Sequence, residues 1–236
     1  MRVVTAKDAG AGTLAAADAL CGWLEAGLVK RLMLAAGRTP LPLYAEVARR
    51  RPGLAGLEVF VLDEYVGVPL EHPRTCSNLL RRHVQQAWGV APERYHALSS
   101  LESDALASVL AHELKLDRAG GLDAIVLGLG TNGHLGFNEP GSDPAGGARV
   151  LALEPVSIAA NRDWFGGEHA PALGASVGLR TVLGARRALL VAFGAEKAAA
   201  VRAMLRGPRE AACPASWLRG HPDAHVFLDE AAGSLL

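Results

Sequence analysis

Short apolar runs without polar alternation, each separated from the next by a longer amphipathic stretch, recur along this chain and constrain its fold more than any other feature. Arg31 to Ala36 reads RLMLAA, Val59 to Leu62 reads VFVL, Asp123 to Leu129 reads DAIVLGL and Ala188 to Phe193 reads ALLVAF. A strand that is apolar on both faces has to be covered on both faces. Such strands, alternating with helices, imply a parallel sheet between two helical layers. Val3 to Thr5 and His225 to Leu228 add a brief strand near each end. Apolar spacing near 3.6 predicts helices over Ala15 to Leu28, Cys76 to Trp88, Ser103 to Leu116 and Ala195 to Leu205. A further helix follows Pro40, whose missing N–H would be unpaired in a first helical turn anyway. No linker, low-complexity tract or internal repeat interrupts the series. The expected architecture is a single doubly wound, Rossmann-like α/β domain with a mainly parallel sheet, covering residues 1–236.

Charge narrows the function. Lysine plus arginine number 24 and aspartate plus glutamate also 24, so the chain lacks the positive excess that nucleic acid or an anionic membrane surface selects. Cys21, Cys76 and Cys213 are scattered without a C-x-x-C pair, which argues against structural zinc and for a reducing compartment. No run approaches the ~18 apolar residues of a membrane span, and the N-terminus has no signal-peptide core. The expectation is a cytoplasmic protein with no nucleic-acid or membrane partner; a homo-oligomer stays open.

In a doubly wound sheet, ligands bind beyond the carboxyl ends of the strands. Four loops there carry unusual residues. Ala36-Gly37-Arg38-Thr39-Pro40 joins a strand to a helix, where a glycine, a hydroxyl, a cation and a helix N-terminus together suit an anion. A plain tight turn with a capping threonine is the bland alternative. Leu62-Asp63-Glu64-Tyr65 follows a strand, and its adjacent carboxylates point in alternate directions. One can enter the cleft as a base toward a C–H beside a carbonyl, or it can simply cap the next turn. Gly128 to Pro140, GLGTNGHLGFNEP, is the most informative. Glycine this dense serves no hydrophobic core, and it brings His134 and Glu139 into one loop, where a carboxylate can fix an imidazole's tautomer. Phe193-Gly194-Ala195-Glu196-Lys197 puts a lysine in a first helical turn, against the dipole preference, unless an anion binds alongside. An exposed lysine without a role is the other reading. His221 and His225 have the spacing of a metal pair, but Pro222 breaks the helix it needs. His72, His83, His96, His112 and His169 read as surface or packing residues, and Arg49 to Arg51 with Arg81-Arg82 as solvated helix faces.

The third loop resembles the glucosamine-6-phosphate deaminase (isomerase) family, with His134, Phe137, Asn138, Glu139 and Pro140 its most specific part. VLDEYVGVPLEHPRTCSN, from Val61 to Asn78, is similar to that family's catalytic-aspartate segment, and AAGRTP and GAEK sit where the family has a phosphate loop and a lysine. The related 6-phosphogluconolactonases share the fold but run toward T-A-S-L-F-P after the histidine, where this chain has LGFNEP. The resemblance implies a sugar-phosphate substrate, acid–base catalysis and no metal or organic cofactor. It assigns ring opening to His134 with Glu139 orienting it, and C2-to-C1 proton transfer to Asp63. Phosphate binding falls to Gly37, Arg38, Thr39, Gly130, Lys197 and Arg162. Asn132 belongs to the catalytic set but stands where most members have aspartate. It can hydrogen-bond yet cannot balance a charge, a departure that leaves a galactosamine-6-phosphate branch open, and behind it a sugar-phosphate sensor without turnover. Arg162 is an imperfect counterpart of the family's arginine in an N-S-R-F-F segment.

Overall fold

The computed structural model describes residues 1–54 and 56–236. In chain order the elements are β1 (Arg2–Ala6), α1 (Ala9–Glu25), β2 (Arg31–Leu34), α2 (Leu41–Arg50), β3 (Glu58–Val61), β4 (Asp63–Val66), α3 (Cys76–Leu80), β5 (Tyr95–His96) and α4 (Ala105–Arg118), followed by β6 (Ala124–Leu127), β7 (Arg149–Ala152), α5 (Pro155–Trp164), β8 (Leu173–Ser176), α6 (Leu179–Leu183), β9 (Ala188–Ala192), α7 (Ala198–Arg206) and β10 (Ala224–Asp229). Seven strands form one sheet in the order β1-β10-β9-β6-β2-β3-β5, and every pairing in it is parallel. β6 and β9 are buried along their whole length, as strands covered on both faces must be. The mainly parallel α/β sheet is the one the apolar runs imply.

The second sheet was not legible. β4, β8 and β7 pair antiparallel beside the main sheet, with Asp63 opposite Ser176 and Ser176 opposite Arg149. The chain passes from one sheet to the other at Leu62, whose N–H still bonds Leu34 of β2 while its carbonyl accepts from Val177. β4 therefore starts on the very residue, Asp63, that the main sheet delivers to its carboxyl edge.

Several boundaries differ from expectation. α1 begins at Ala9 rather than Ala15, because Asp8 caps it by accepting from Ala11 N at 2.8 Å. Gly12, in the first turn, packs where a Cβ would lie 2.5 Å from Phe193 Cε1. The helix expected over Cys76 to Trp88 has those bounds, but it widens to a π-helical stretch at Arg81–Gln86 before returning to α geometry at Ala87 and Trp88. Lys197 closes a 3-10 turn, Ala195–Lys197, and α7 starts one residue later. His221 accepts from Asp223 N and bonds the Ala185 carbonyl, while His225 bonds the Asp223 carboxylate. No helix of the described residues is long and apolar enough to cross a membrane.

Candidate active site

β2 leads to β3 on one side of the sheet and β6 leads to β9 on the other, so the order in which strands are added reverses between the adjacent parallel strands β2 and β6. At that switch point the loops after the two strands diverge and leave a crevice. A cavity of about 430 Å³ lies there, walled by Ala35 to Pro40 from one loop and Gly128 to Thr131 with His134 from the other. Asp63, Lys197 and one side of α5 complete it. The volume lies within the usual range for a small-molecule site. The first loop is held from below: buried Tyr44 donates its hydroxyl to the Ala35 carbonyl at 2.8 Å. Gly37 takes φ 145°, a conformation that side chains rarely adopt.

Asp63 and Glu64 divide the two roles that the sequence left open. Glu64 is fully buried and accepts from the backbone N–H groups of Tyr65, Cys76 and Ser77 at 2.8–2.9 Å, capping the start of α3. Asp63 faces the cavity. Burial first, and the adjacent Glu64 charge second, push its pKa up from 3.8 to about 7. A carboxylate poised near neutrality is what a general base needs.

The glycine-rich loop carries the second group. Gly130 N bonds His134 O at 3.1 Å and Gly133 N bonds Gly130 O at 3.0 Å, closing a tight turn. The imidazole of His134 lies over Gly130 so closely that a Cβ there would fall 2.4 Å from the ring. Gly136, at φ 57°, brings the same loop against Leu62 and the Asp63 carboxylate. Behind His134, its Nδ1 lies 3.3 Å from Glu139 Oε2, within ion-pair reach but off the line of a hydrogen bond. Asn132 accepts from His134 N at 3.3 Å and donates to Glu139 Oε2 at 2.7 Å, so both ends of its amide are used. Ser157 donates to the other oxygen, Glu139 Oε1. Burial raises the Glu139 pKa, but the His134 imidazole beside it and the Ser157 and Asn132 donors outweigh it and hold the carboxylate down at about 2. Glu139 and Asn132 do not line the cavity; they lie behind His134.

Arg38 and Lys197 also line the cavity, and neither has a carboxylate within ion-pair distance among the described residues. Arg38 lies 5.7 Å over the Trp164 ring. Burial lowers the Lys197 pKa, and Glu196 partly offsets this. The turn bearing Lys197 is pinned by Asp229 at the end of β10, whose carboxylate accepts from Gly194 N at 3.0 Å. Arg162 is the site residue that the structure does not bring in. α5 turns Ser157, Ala160, Asn161 and Trp164 to the cavity, and Arg162, about 100° around the helix from Asn161, is exposed instead. Thr39 and Gly37 are in place.

Ser157, Trp164 and Asp229 were missed. The signal for α5 was Pro155 at its first position, a helix-start mark, with cavity residues spaced three and four apart after it. Among the described residues no three His, Cys, Asp or Glu side chains converge as a metal site would need.

The family of glucosamine-6-phosphate isomerases and 6-phosphogluconolactonases matches residues 11–227. This chain belongs to that family. Within the family, it is 41% identical to the glucosamine-6-phosphate deaminase of Arthrobacter sp. strain FB24, over 94% of this chain and 87% of the other. Its identity to the Streptomyces coelicolor deaminase is 39%, over 100% and 93% of the two chains. The structure of a monomeric glucosamine-6-phosphate deaminase superposes with a TM-score of 0.94 at 29% identity over the full length of both. A 6-phosphogluconolactonase from Trypanosoma cruzi superposes at 0.82 with 17% identity, covering 100% of this chain and 96% of that one, a likeness of fold alone.

Proposed function

We propose that this chain is an aldose–ketose isomerase and deaminase that converts glucosamine 6-phosphate to fructose 6-phosphate and ammonia. The observation that carries the reading is the pairing, across one cavity, of Asp63 with a pKa near 7 and His134. Unpaired Arg38 and Lys197 at the same cavity suit a phosphate, and the deaminase relatives share about two-fifths of the sequence.

The steps follow from proton transfer alone. Lys197, Arg38, Thr39 and the Gly37 loop hold the phosphate and position the sugar. His134, oriented by Glu139, moves a proton at the ring oxygen and opens the ring. Asp63 removes the C2 proton, acidified by the C1 carbonyl, and returns it to C1 through an enolamine. The resulting ketose imine adds water and expels ammonia. One water enters and one ammonia leaves, so the balance calls on no redox partner or group carrier.

The test is ammonia release by the purified protein, with EDTA present, from glucosamine 6-phosphate and galactosamine 6-phosphate side by side. Turnover of the first is the expected result. Turnover of the second alone would reassign the C4 configuration, and silence on both would overturn the reading.

A further inference from the structure

Glu139 is buried at 4% exposure between the loop that bears His134 and helix α5, and its two oxygens are served from different sides. Oε2 meets Asn132 and His134, both from its own loop. Among the described residues, Oε1 meets a single side-chain donor, the Ser157 hydroxyl, which arrives from α5. Ser157 is itself 5% exposed, at the wall of the cavity. We infer that Ser157 is a positioning residue of the proton relay, fixing Glu139 from α5 so that its other oxygen stays turned toward His134.

The rest of α5 gives this contact a context. At the helix's far end Trp164 donates its indole N–H to Arg74 O at 3.0 Å and accepts from the Arg74 guanidinium at 2.5 Å, while Arg38 stacks on the ring. One helix thus touches a cation that lines the cavity and the carboxylate behind the histidine. Without the hydroxyl, Oε1 would keep its burial and lose its donor, and a buried acceptor left unmade costs more than the bond contributes when formed. The carboxylate would then be free to rotate between its two sides.

The role in turnover rests on the deaminase reading; the contact does not. The experiment is a double-mutant cycle with Ser157→Ala, Glu139→Gln and both together, followed by kcat and KM for ammonia release and by thermal unfolding. Ser157→Ala is expected to lower kcat about tenfold with KM within about twofold, as for a lost bond to a charged group. In the Glu139→Gln background the same change should cost less than about twofold, because the group it acts through is gone. Ser157→Thr, which keeps the hydroxyl, should recover most of the loss. Losses that multiply in the double variant, or a Thr variant as poor as the Ala one, would overturn the inference. If Ser157→Ala does not fold, Ser157→Cys takes its place, with a partial loss expected and wild-type behaviour overturning. If the wild-type protein releases no ammonia, the proposed function falls. The unfolding cycle, which needs no substrate, still decides whether Ser157 acts through Glu139: coupled melting shifts support it and independent shifts overturn it.

Discussion

Asp63 and Glu64, consecutive on β4, face opposite ways: Asp63 toward the cavity with a pKa raised to about 7, Glu64 onto the backbone N–H groups of Cys76 and Ser77. Asp63→Asn removes the base and should lower kcat at least about a thousandfold, as loss of a general base does. The same change should stabilise the fold. The folded pKa exceeds the ordinary 3.8, so burying the ionised form costs stability that is absent below pH ~4 and fully felt above about 7. Asparagine escapes that cost. Its melting temperature should match the wild type at pH 3.5 and exceed it by about 10 °C at pH 8, for a gain on the order of 4 kcal/mol. Equal melting at both pH values would show that Asp63 is not held near neutrality.

Glu64→Gln tests the second cause of that shift. Burial raises the Asp63 pKa first, and the Glu64 charge raises it further. An uncharged amide keeps an acceptor for one of the two N–H groups of α3 and drops the repulsion, so the Asp63 pKa should fall. The acid limb of the kcat/KM profile, expected near pH 7 in the wild type, should move down by about half a unit to one unit. A limb that stays in place would assign it to another group.

The main sheet was legible because its central strands are apolar on both faces, a pattern few folds accept. The site loops were legible because glycine, acid and histidine there serve no core. β4, β7 and β8 were not: RVLA and LGAS are four residues each, and β4 pairs with β8, more than a hundred residues away, through contacts that no local pattern encodes. Arg162 looked right by type and neighbourhood, but helical rotation, which a linear motif does not show, turns it outward. Ser157 was invisible for the converse reason. A serine says nothing about a carboxylate in the preceding loop until the helix that carries it is in place.

Removing the cations separates binding from chemistry. Lys197→Ala and Arg38→Ala should each raise KM about tenfold or more while kcat changes less than about twofold, since each loses a phosphate contact made equally in ground and transition states. Inorganic phosphate should inhibit both variants more weakly than the wild type. Arg162→Ala, on the exposed side of α5, should leave KM unchanged. A raised KM in that variant, with normal values for Arg38→Ala, would reverse the assignment of the phosphate-binding arginine.

Asn132→Asp puts in the residue that the family resemblance leads one to expect there and tests what the amide does. The amide now accepts from His134 N and donates to Glu139 Oε2 at 2.7 Å. An aspartate in its place keeps the first bond but can make the second only while protonated, because two carboxylates this close cannot both be charged cheaply. Glu139 keeps the His134 imidazole and the Ser157 hydroxyl, both of which lower its pKa, so it keeps its charge, the proton resides on the introduced group and that group's pKa is raised. Below that pKa the variant donates as asparagine does, and its kcat should approach the wild-type value. Above it the bond becomes a repulsion. The variant-to-wild-type ratio of kcat should fall from near one at pH 6 to about a tenth at pH 9, with melting temperature following in the same direction. Parallel pH profiles for the two proteins would mean that the Asn132 amide is not a working donor to Glu139, and that the histidine is held by its own loop and by α5 alone.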